Sequence, residues 1–313
     1  MTTLLDVARK AGVSKSTVSN VVRGVEPVAL ETRERVEMAI AQTGYRPNQI
    51  ARALKARSTT ALAIVLPDLC NPFHAEMTVA AERAANRLGY ALLAANTECD
   101  PELEDETGRA LIARQVDGVI IGGISLGSRL PKMLLDRGIP VTLASLGDHK
   151  DSRLSIVDTD DRGGMDAIIG HLFDLGHRKL AFVSQSLLEH SGERRRLAFS
   201  RALRRLGLRP ARSWRDATAI VAHNDMHAIA TIDQLENLGL RVPADISVVG
   251  FDDIPLARHR RIGLTTIRSD ATAIGERAVE LVVRAARAGE PQSNREVFAT
   301  SLIVRSSTGR AKV

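Results

Sequence analysis

From Ala61 to the end of the chain, short apolar runs alternate with segments whose apolar residues recur at helical spacing. Ala61–Leu66, Ala91–Ala95, Gly118–Ile121 and Val141–Leu143 read as strands, separated by helices over Phe73–Leu88, Glu102–Arg114 and Leu130–Arg137. A second series starts near Ile156. It runs through helix Gly163–Leu175, strand Leu180–Val183, helix Glu193–Leu206, strand Ala219–Val221, helix Met226–Leu238 and strand Ile246–Gly250. Thr265–Ile267, helix Ala273–Ala288 and a final strand Val297–Val304 close the chain. Buried parallel strands linked by crossover helices give this alternation. Two such series predict two doubly wound lobes, with a cleft lined by loops at the strand C-termini. The chain has 313 residues and is 44% hydrophobic, enough for this α/β unit plus a small one.

The first 58 residues have a different texture. Leu5 to Val22 reads as two short helices around a tight turn. Thr3 and Asp6 have the spacing of a capping box, and Val7, Ala8 and Ala11 make an apolar face. Gly12 suits a left-handed helix end, and Ser14 can cap the second helix. Val18, Val21 and Val22 then face inward, leaving Lys15, Ser16, Thr17, Ser19 and Asn20 outward. An acid-free helix of short polar side chains fits a DNA major groove, where Asn pairs with adenine and Lys reaches guanine or phosphate. On the hairpin alone, an ordinary solvated helix face fits equally well. A third helix, about Leu30–Thr43, buries Val36, Ala39 and Ile40, and Tyr45 closes the small core. Pro47 ends the helical run. Asn48 can cap a short fourth segment, Gln49–Ala56, before a linker at Ser58-Thr59-Thr60. The expected domains are 1–58 and 59–313.

Charge separates the readings. The formal net charge is +6, and residues 1–60 hold ten Lys/Arg against five Asp/Glu. The positive excess therefore lies with the candidate DNA-reading helix, as phosphate binding requires. No acidic residue occurs between Glu37 and Asp68. Cys70 and Cys99 show neither metal-ligand spacing nor a disulfide framework, which suits a reducing cytoplasm. No apolar run is long enough to span a bilayer, and no signal-type segment opens the chain. No nucleotide-cofactor loop is present, so neither cofactor nor metal is expected.

In order, the chain carries Asp6-Val7-Ala8, Ala11-Gly12-Val13-Ser14, Thr17-Val18-Ser19, Thr32-Arg33, Gly44-Tyr45, Pro47-Asn48 and Ala51-Arg52 with Leu54. Downstream come Asn71-Pro72-Phe73, Asp117-Gly118, Leu175-Gly176-His177, Asn224-Asp225, Val242-Pro243, Asp245 to Asp253 and Leu264-Thr265-Thr266. This succession resembles the lactose/galactose repressor family of bacterial transcription regulators over almost the whole chain. The resemblance implies an all-α helix-turn-helix head joined to a two-lobed periplasmic-binding-protein-like α/β domain. It implies a cytoplasmic homodimer on double-stranded operator DNA, modulated by a sugar or nucleoside-like effector. It places Lys15, Ser16 and Asn20, with Thr17 and Ser19 beside them, at the bases. Asn48, Ala51, Arg52, Leu54 and Lys55 fall in its hinge segment, with Leu54 as the minor-groove wedge; an apolar wedge among basic residues can kink a duplex. The alternative is that Leu54 packs on the large domain. Effector contacts would be Phe73, Ser145, Asp158, Arg194, Asn224 and Asp252, although a carboxylate such as Asp252 also caps turns.

The chain departs from the family pattern in three places. Ala29 replaces a serine cap on the third helix, a loss of ~1 kcal/mol. Ser145 stands where a charged effector contact is common. Only Arg209–Thr218 separate the helix after Leu180–Val183 from the next strand, so about one βα unit, roughly 30 residues, is expected to be missing. The second lobe would then be short, with an exposed edge strand and an opened cleft wall, and the effector response weak or lost.

Other function classes are weaker. Gly123-Ile124-Ser125-Leu126-Gly127 matches a nucleophile elbow, but Ser128 to Pro131 delay the helix an elbow needs. His223 and His227 have zinc spacing without the accompanying glutamate. An enzyme is not expected. A sugar-binding protein without a DNA role shares the two-lobed fold, but the basic head argues against it.

Overall fold

The computed structural model describes residues 2–23, 28–45, 58–147, 149, 151–184, 190–290 and 292–312. The chain falls into two compact units, Met1–Thr59 and Thr60–Val313.

The small unit contains α1 (Leu4–Ala11), α2 (Lys15–Arg23) and α3 (Leu30–Thr43). The capping box forms as its spacing predicts: Thr3 Oγ accepts from the Asp6 N–H, and the Thr3 N–H donates to Asp6 Oδ2 at 2.8 Å. Gly12 ends α1 at φ +63°, a conformation that a Cβ would strain. Val7, Ala8, Ala11, Val18, Val36, Ala39 and Tyr45 are buried together, with Val21, Val22 and Ile40 packed against them. The α3 N-cap, Ala29, makes no side-chain capping bond.

The large unit runs β1 (Ala61–Leu66), α4 (Pro72–Arg87), β2 (Ala91–Asn96), α5 (Pro101–Ala113), β3 (Gly118–Ile121), α6 (Leu130–Leu135), β4 (Val141–Ala144) and β5 (Ser155–Thr159). It continues through α7 (Asp161–Asp174), β6 (Leu180–Val183), α8 (His190–Arg205), β7 (Ala219–Ala222), α9 (Asp225–Asn237) and β8 (Ser247–Val249). It ends with β9 (Thr266–Arg268), α10 (Ala271–Ala288), β10 (Arg295–Phe298) and β11 (Ser301–Ile303). One lobe is a six-stranded parallel sheet in the order β10-β5-β4-β3-β1-β2. Its four inner strands, β1, β3, β4 and β5, are buried on both faces, which is why they read as mainly apolar runs, while the edge strands β2 and β10 are largely exposed. Leu62, Ile64 and Leu66 join Met77 and Ile274 of α4 and α10, while Ala63 and Val65 join Leu111 and Leu134 of α5 and α6.

The other lobe has a parallel sheet β6-β7-β8 and an antiparallel pair β9-β11, linked by bridges Val249–Thr265 and Asp252–Arg268. The final strand expected over Val297–Val304 is two strands. β10 pairs with β5 in the first lobe and β11 with β9 in the second, because the chain crosses between lobes at Ala299-Thr300. It also crosses between Thr159 and Asp161 and between Arg268 and Ala271. The three crossings are tied together: the Asp160 N–H donates to Phe298 O at 3.0 Å, and Thr300 Oγ1 to Asp160 O at 3.2 Å. The Thr159 and Ser269 hydroxyls lie 3.4 Å apart. Between α8 and β7 there is only a 3-10 turn, Trp214–Asp216, and β6 lies directly beside β7 as an outer strand. The Ala211 N–H meets one of its edge carbonyls, Leu180 O, at 2.7 Å.

Candidate DNA-reading head and ligand cleft

In the head, α1 and α3 form a platform for α2. The Arg35 guanidinium on α3 donates to Ala11 O (2.8 Å) and Gly12 O (3.3 Å), satisfying orphan carbonyls at the end of α1 and fixing the turn into α2. Ser14 Oγ accepts from the Thr17 N–H at 3.1 Å and lies 2.7 and 2.8 Å from the Ser16 and Thr17 hydroxyls. Lys15 and Ser16 are exposed, Thr17, Ser19 and Asn20 are partly buried, and Val18 anchors the inner face. The first turn of α2 carries no acid. Asn48, Ala51, Arg52, Leu54 and Lys55 lie outside the described residues.

In the large unit, a cleft of about 660 Å³ lies between the lobes. Asp68, Asn71, Phe73, His74, Asn96, Glu98 and Ser145 line it from the first lobe, and Ser191, Arg195, His223, Asn224, His227 and Asp252 from the second. Asn71 caps α4, its Oδ1 accepting from the Phe73 N–H at 3.0 Å, which seats Phe73 edge-on to His74 with ring centroids 5.8 Å apart. Asn224 caps α9 through the His227 N–H at 2.8 Å, and the His223 and His227 rings stack 4.6 Å apart. Ser145 and Asp252 sit at φ +59° and +121°, backbone strain of the kind that collects at ligand sites.

Behind this wall runs an ion-pair chain. Arg195 is 5% exposed. Its Nε meets Asp161 Oδ1 at 3.2 Å, its Nη2 meets Asp252 Oδ1 at 3.3 Å, and its Nη1 donates to His223 O at 2.7 Å. The guanidinium also stacks 3.7 Å from the Phe251 ring centre. Arg194 crosses to the first lobe. It holds Asp158 at 3.0 and 3.2 Å, Asp161 at 3.1 Å and Ser145 O at 3.4 Å. Gly147 makes room for it: a Cβ there would lie 2.5 Å from the guanidinium carbon. Burial raises the Asp158 carboxyl pKa, against the pull of Arg194. Asp225, under the start of α9, accepts from Thr266 Oγ1 at 2.5 Å and the Ile254 N–H at 2.9 Å, and burial pushes it up to about 7.

Residues 3–48 match the model of bacterial regulatory proteins of the lacI family, and residues 59–216 match that of periplasmic binding proteins and the sugar binding domain of LacI family. A periplasmic binding protein-like domain matches residues 169–308. The chain is 31% identical to the HTH-type transcriptional repressor PurR of Vibrio vulnificus over 95% of both chains. It is 30% identical to that of Aliivibrio salmonicida, covering 95% of this chain and 96% of that one. The chain belongs to the lacI family of bacterial transcription regulators. Among solved structures, the lac repressor dimer bound to operator and the anti-inducer ONPF matches with TM-score 0.84 at 25% identity, over 98% of this chain and 99% of that one. A CelR–cellobiose complex matches with TM-score 0.72 at 26% identity, over 98% and 100%.

For this lacI-family chain, the structure brings Phe73, Ser145, Asn224 and Asp252 to one cleft. Arg194 and Asp158 lie one step behind it, paired with each other, and Arg195 is the arginine at the wall. The sequence carries a signal for Arg195: it stands four residues before buried Phe199 and so shares the apolar face of α8. Asp252 pairs with Arg195. Ser125 does not sit as a nucleophile, because its hydroxyl donates to buried Glu104 at 3.0 Å and its N–H to the same carboxylate at 2.7 Å. No helix among the described residues is long and apolar enough to cross a membrane.

Proposed function

We propose that this regulator is a repressor that binds a palindromic operator as a homodimer and releases or gains DNA in response to a small polar effector in the interlobe cleft. The observation that carries the DNA role is α2: an acid-free face with Lys15, Ser16 and Asn20, clamped by Arg35 on a buried three-helix core. One such helix reads a half-site, so a two-fold dimer reads an inverted repeat. Lys15, Ser16, Thr17, Ser19 and Asn20 contact the major groove, and Asn48, Ala51, Arg52, Leu54 and Lys55 the minor groove at the centre. The chain works in the cytoplasm, where its DNA is.

The effector lies against Phe73, Ser145, Asn224, Asp252 and Arg195. Arg195 already directs three of its N–H groups to two carboxylates and a carbonyl, and the carboxylates offset its charge, so the wall suits hydroxyls better than a bare anion. That fits the cellobiose and ONPF of the two structural relatives. We read the ten-residue connection 209–218 as that of a lobe one βα unit shorter than the family's; the cleft has side chains on both walls. Binding shifts the angle between lobes and thereby the spacing of heads in the dimer. Selection of bound DNA from a random pool by the full-length protein tests the reading. An inverted repeat with a flexible central step is expected, and the absence of any enriched sequence at low salt overturns it.

A further inference from the structure

The second lobe holds a second space. On the α9 side of the β6-β7-β8 sheet, Val183 and Ile220 face a groove of about 210 Å³. It runs along α9 past Ala230, Thr231 and Leu235, and Trp214 of the 3-10 turn stands at its wall. Trp214 is partly buried against the core, with the Arg215 guanidinium 4.6 Å from its ring centre. An apolar cavity of about 150 Å³ is enough for a benzene ring. His227 and Ala230 line both this groove and the interlobe cleft, so the two spaces adjoin at the first turns of α9. The cleft carries the more hydrogen-bonding groups, whereas Val183, Trp214, Ile220, Leu235 and Leu238 make the groove mainly apolar, with Ser184, Thr231 and Gln234 as its polar part.

We infer that the groove is an effector subsite that takes the apolar, ring-sized arm of a two-part ligand whose polyhydroxy head lies in the cleft. This rests on the effector reading above and specifies its ligand class: a neutral glycoside-like amphiphile rather than a bare sugar. Ring stacking on Trp214 and burial against Val183, Ile220 and Leu235 supply the attraction.

Trp214 is the only tryptophan of the chain, so its emission reports this groove alone. The first measurement titrates full-length protein with N-phenyl-1-naphthylamine, a neutral apolar dye that accepts energy from tryptophan. Saturable binding with quenching of Trp214 is expected, weakened at least tenfold by Thr231→Phe, which fills the groove, and kept by Thr231→Val. The second compares methyl and p-nitrophenyl forms of a set of neutral glycosides by calorimetry. For at least one sugar, the p-nitrophenyl form is expected to bind at least tenfold more tightly, and Thr231→Phe to erase that preference without changing methyl-glycoside affinity. Operator binding and melting temperature establish that each variant is folded; if Thr231→Phe fails this check, Thr231→Leu replaces it. Dye binding that is absent or indifferent to the groove-filling variant overturns the subsite. Dye binding without a p-nitrophenyl preference, or with no glycoside bound, overturns the two-part ligand. Methyl-glycoside binding without the preference leaves the effector reading standing, whereas that reading fails if no ligand of any class changes operator affinity.

Discussion

Arg195 and Asp225 show what single buried ionisable groups do to the stability of the second lobe. Replacing Arg195 by Met takes the arginine from buried Asp252 and leaves Asp161 with Arg194 alone, so a loss of about 3–5 kcal/mol in urea denaturation is expected. Asp225 makes stability fall with rising pH. Its carboxyl sits at about 7 in the fold, against 3.8 ordinarily, because burial outweighs its bonds from Thr266 and Ile254. Between those values the folded chain holds a proton that the unfolded chain has released, so stability declines as pH rises, by up to about 1.4 kcal/mol per pH unit. In Asp225→Asn the amide oxygen accepts from the Ile254 N–H, the amide nitrogen donates to Thr266 Oγ1 in place of the reverse, and the titration is gone. Urea midpoints at pH 5, 6, 7 and 8 are expected to decline less steeply for the variant than for the parent. At this scale the sequence was only partly legible. Asn224 and Asp252 are placed by strand ends that periodicity reveals. Adjacent positions on a helix point about 100° apart, and a motif match alone does not tell Arg194 from Arg195.

Elements were more legible than residues, because capping chemistry and periodicity are local. Thr3, Gly12, Ser14 and Gly44 end their helices as their side chains or lack of them predict. Ala29 is the exception that offers a handle: its φ and ψ of −52° and 139° suit an N-cap, yet it supplies no oxygen. Ala29→Ser is expected to stabilise the head by ~1 kcal/mol, read as a higher melting temperature of the helical signal in the full chain. The division of the last strand into β10 and β11 was not legible. Val297 to Val304 is one apolar-rich run, and only the pairing partners, β5 in one lobe and β9 in the other, separate it.

For the whole molecule, the order of head and two lobes was legible because buried parallel strands and an amphipathic helical head have different periods. The hydrogen bonds at the crossings were not, since they join residues far apart in the chain. The concentration of basic charge before residue 60 predicts a steep salt dependence. For a dimer neutralising six to ten phosphates, operator affinity is expected to fall about 10³–10⁵-fold between 50 and 200 mM salt, measured by fluorescence anisotropy. A flat profile would remove the electrostatic argument for the head.

The seam where Thr159, Ser269 and Phe298 run side by side sets what motion the two lobes can make. Three threads knotted at one place behave as the pin of a door: swinging about them costs little, while sliding would tear the Asp160–Phe298 bond. Arg194, reaching from one leaf to Asp158 on the other, is then the catch. A guest that touches both leaves competes with that guanidinium grip, and a preference for one swing angle shifts the population by as much as its difference in affinity between the two.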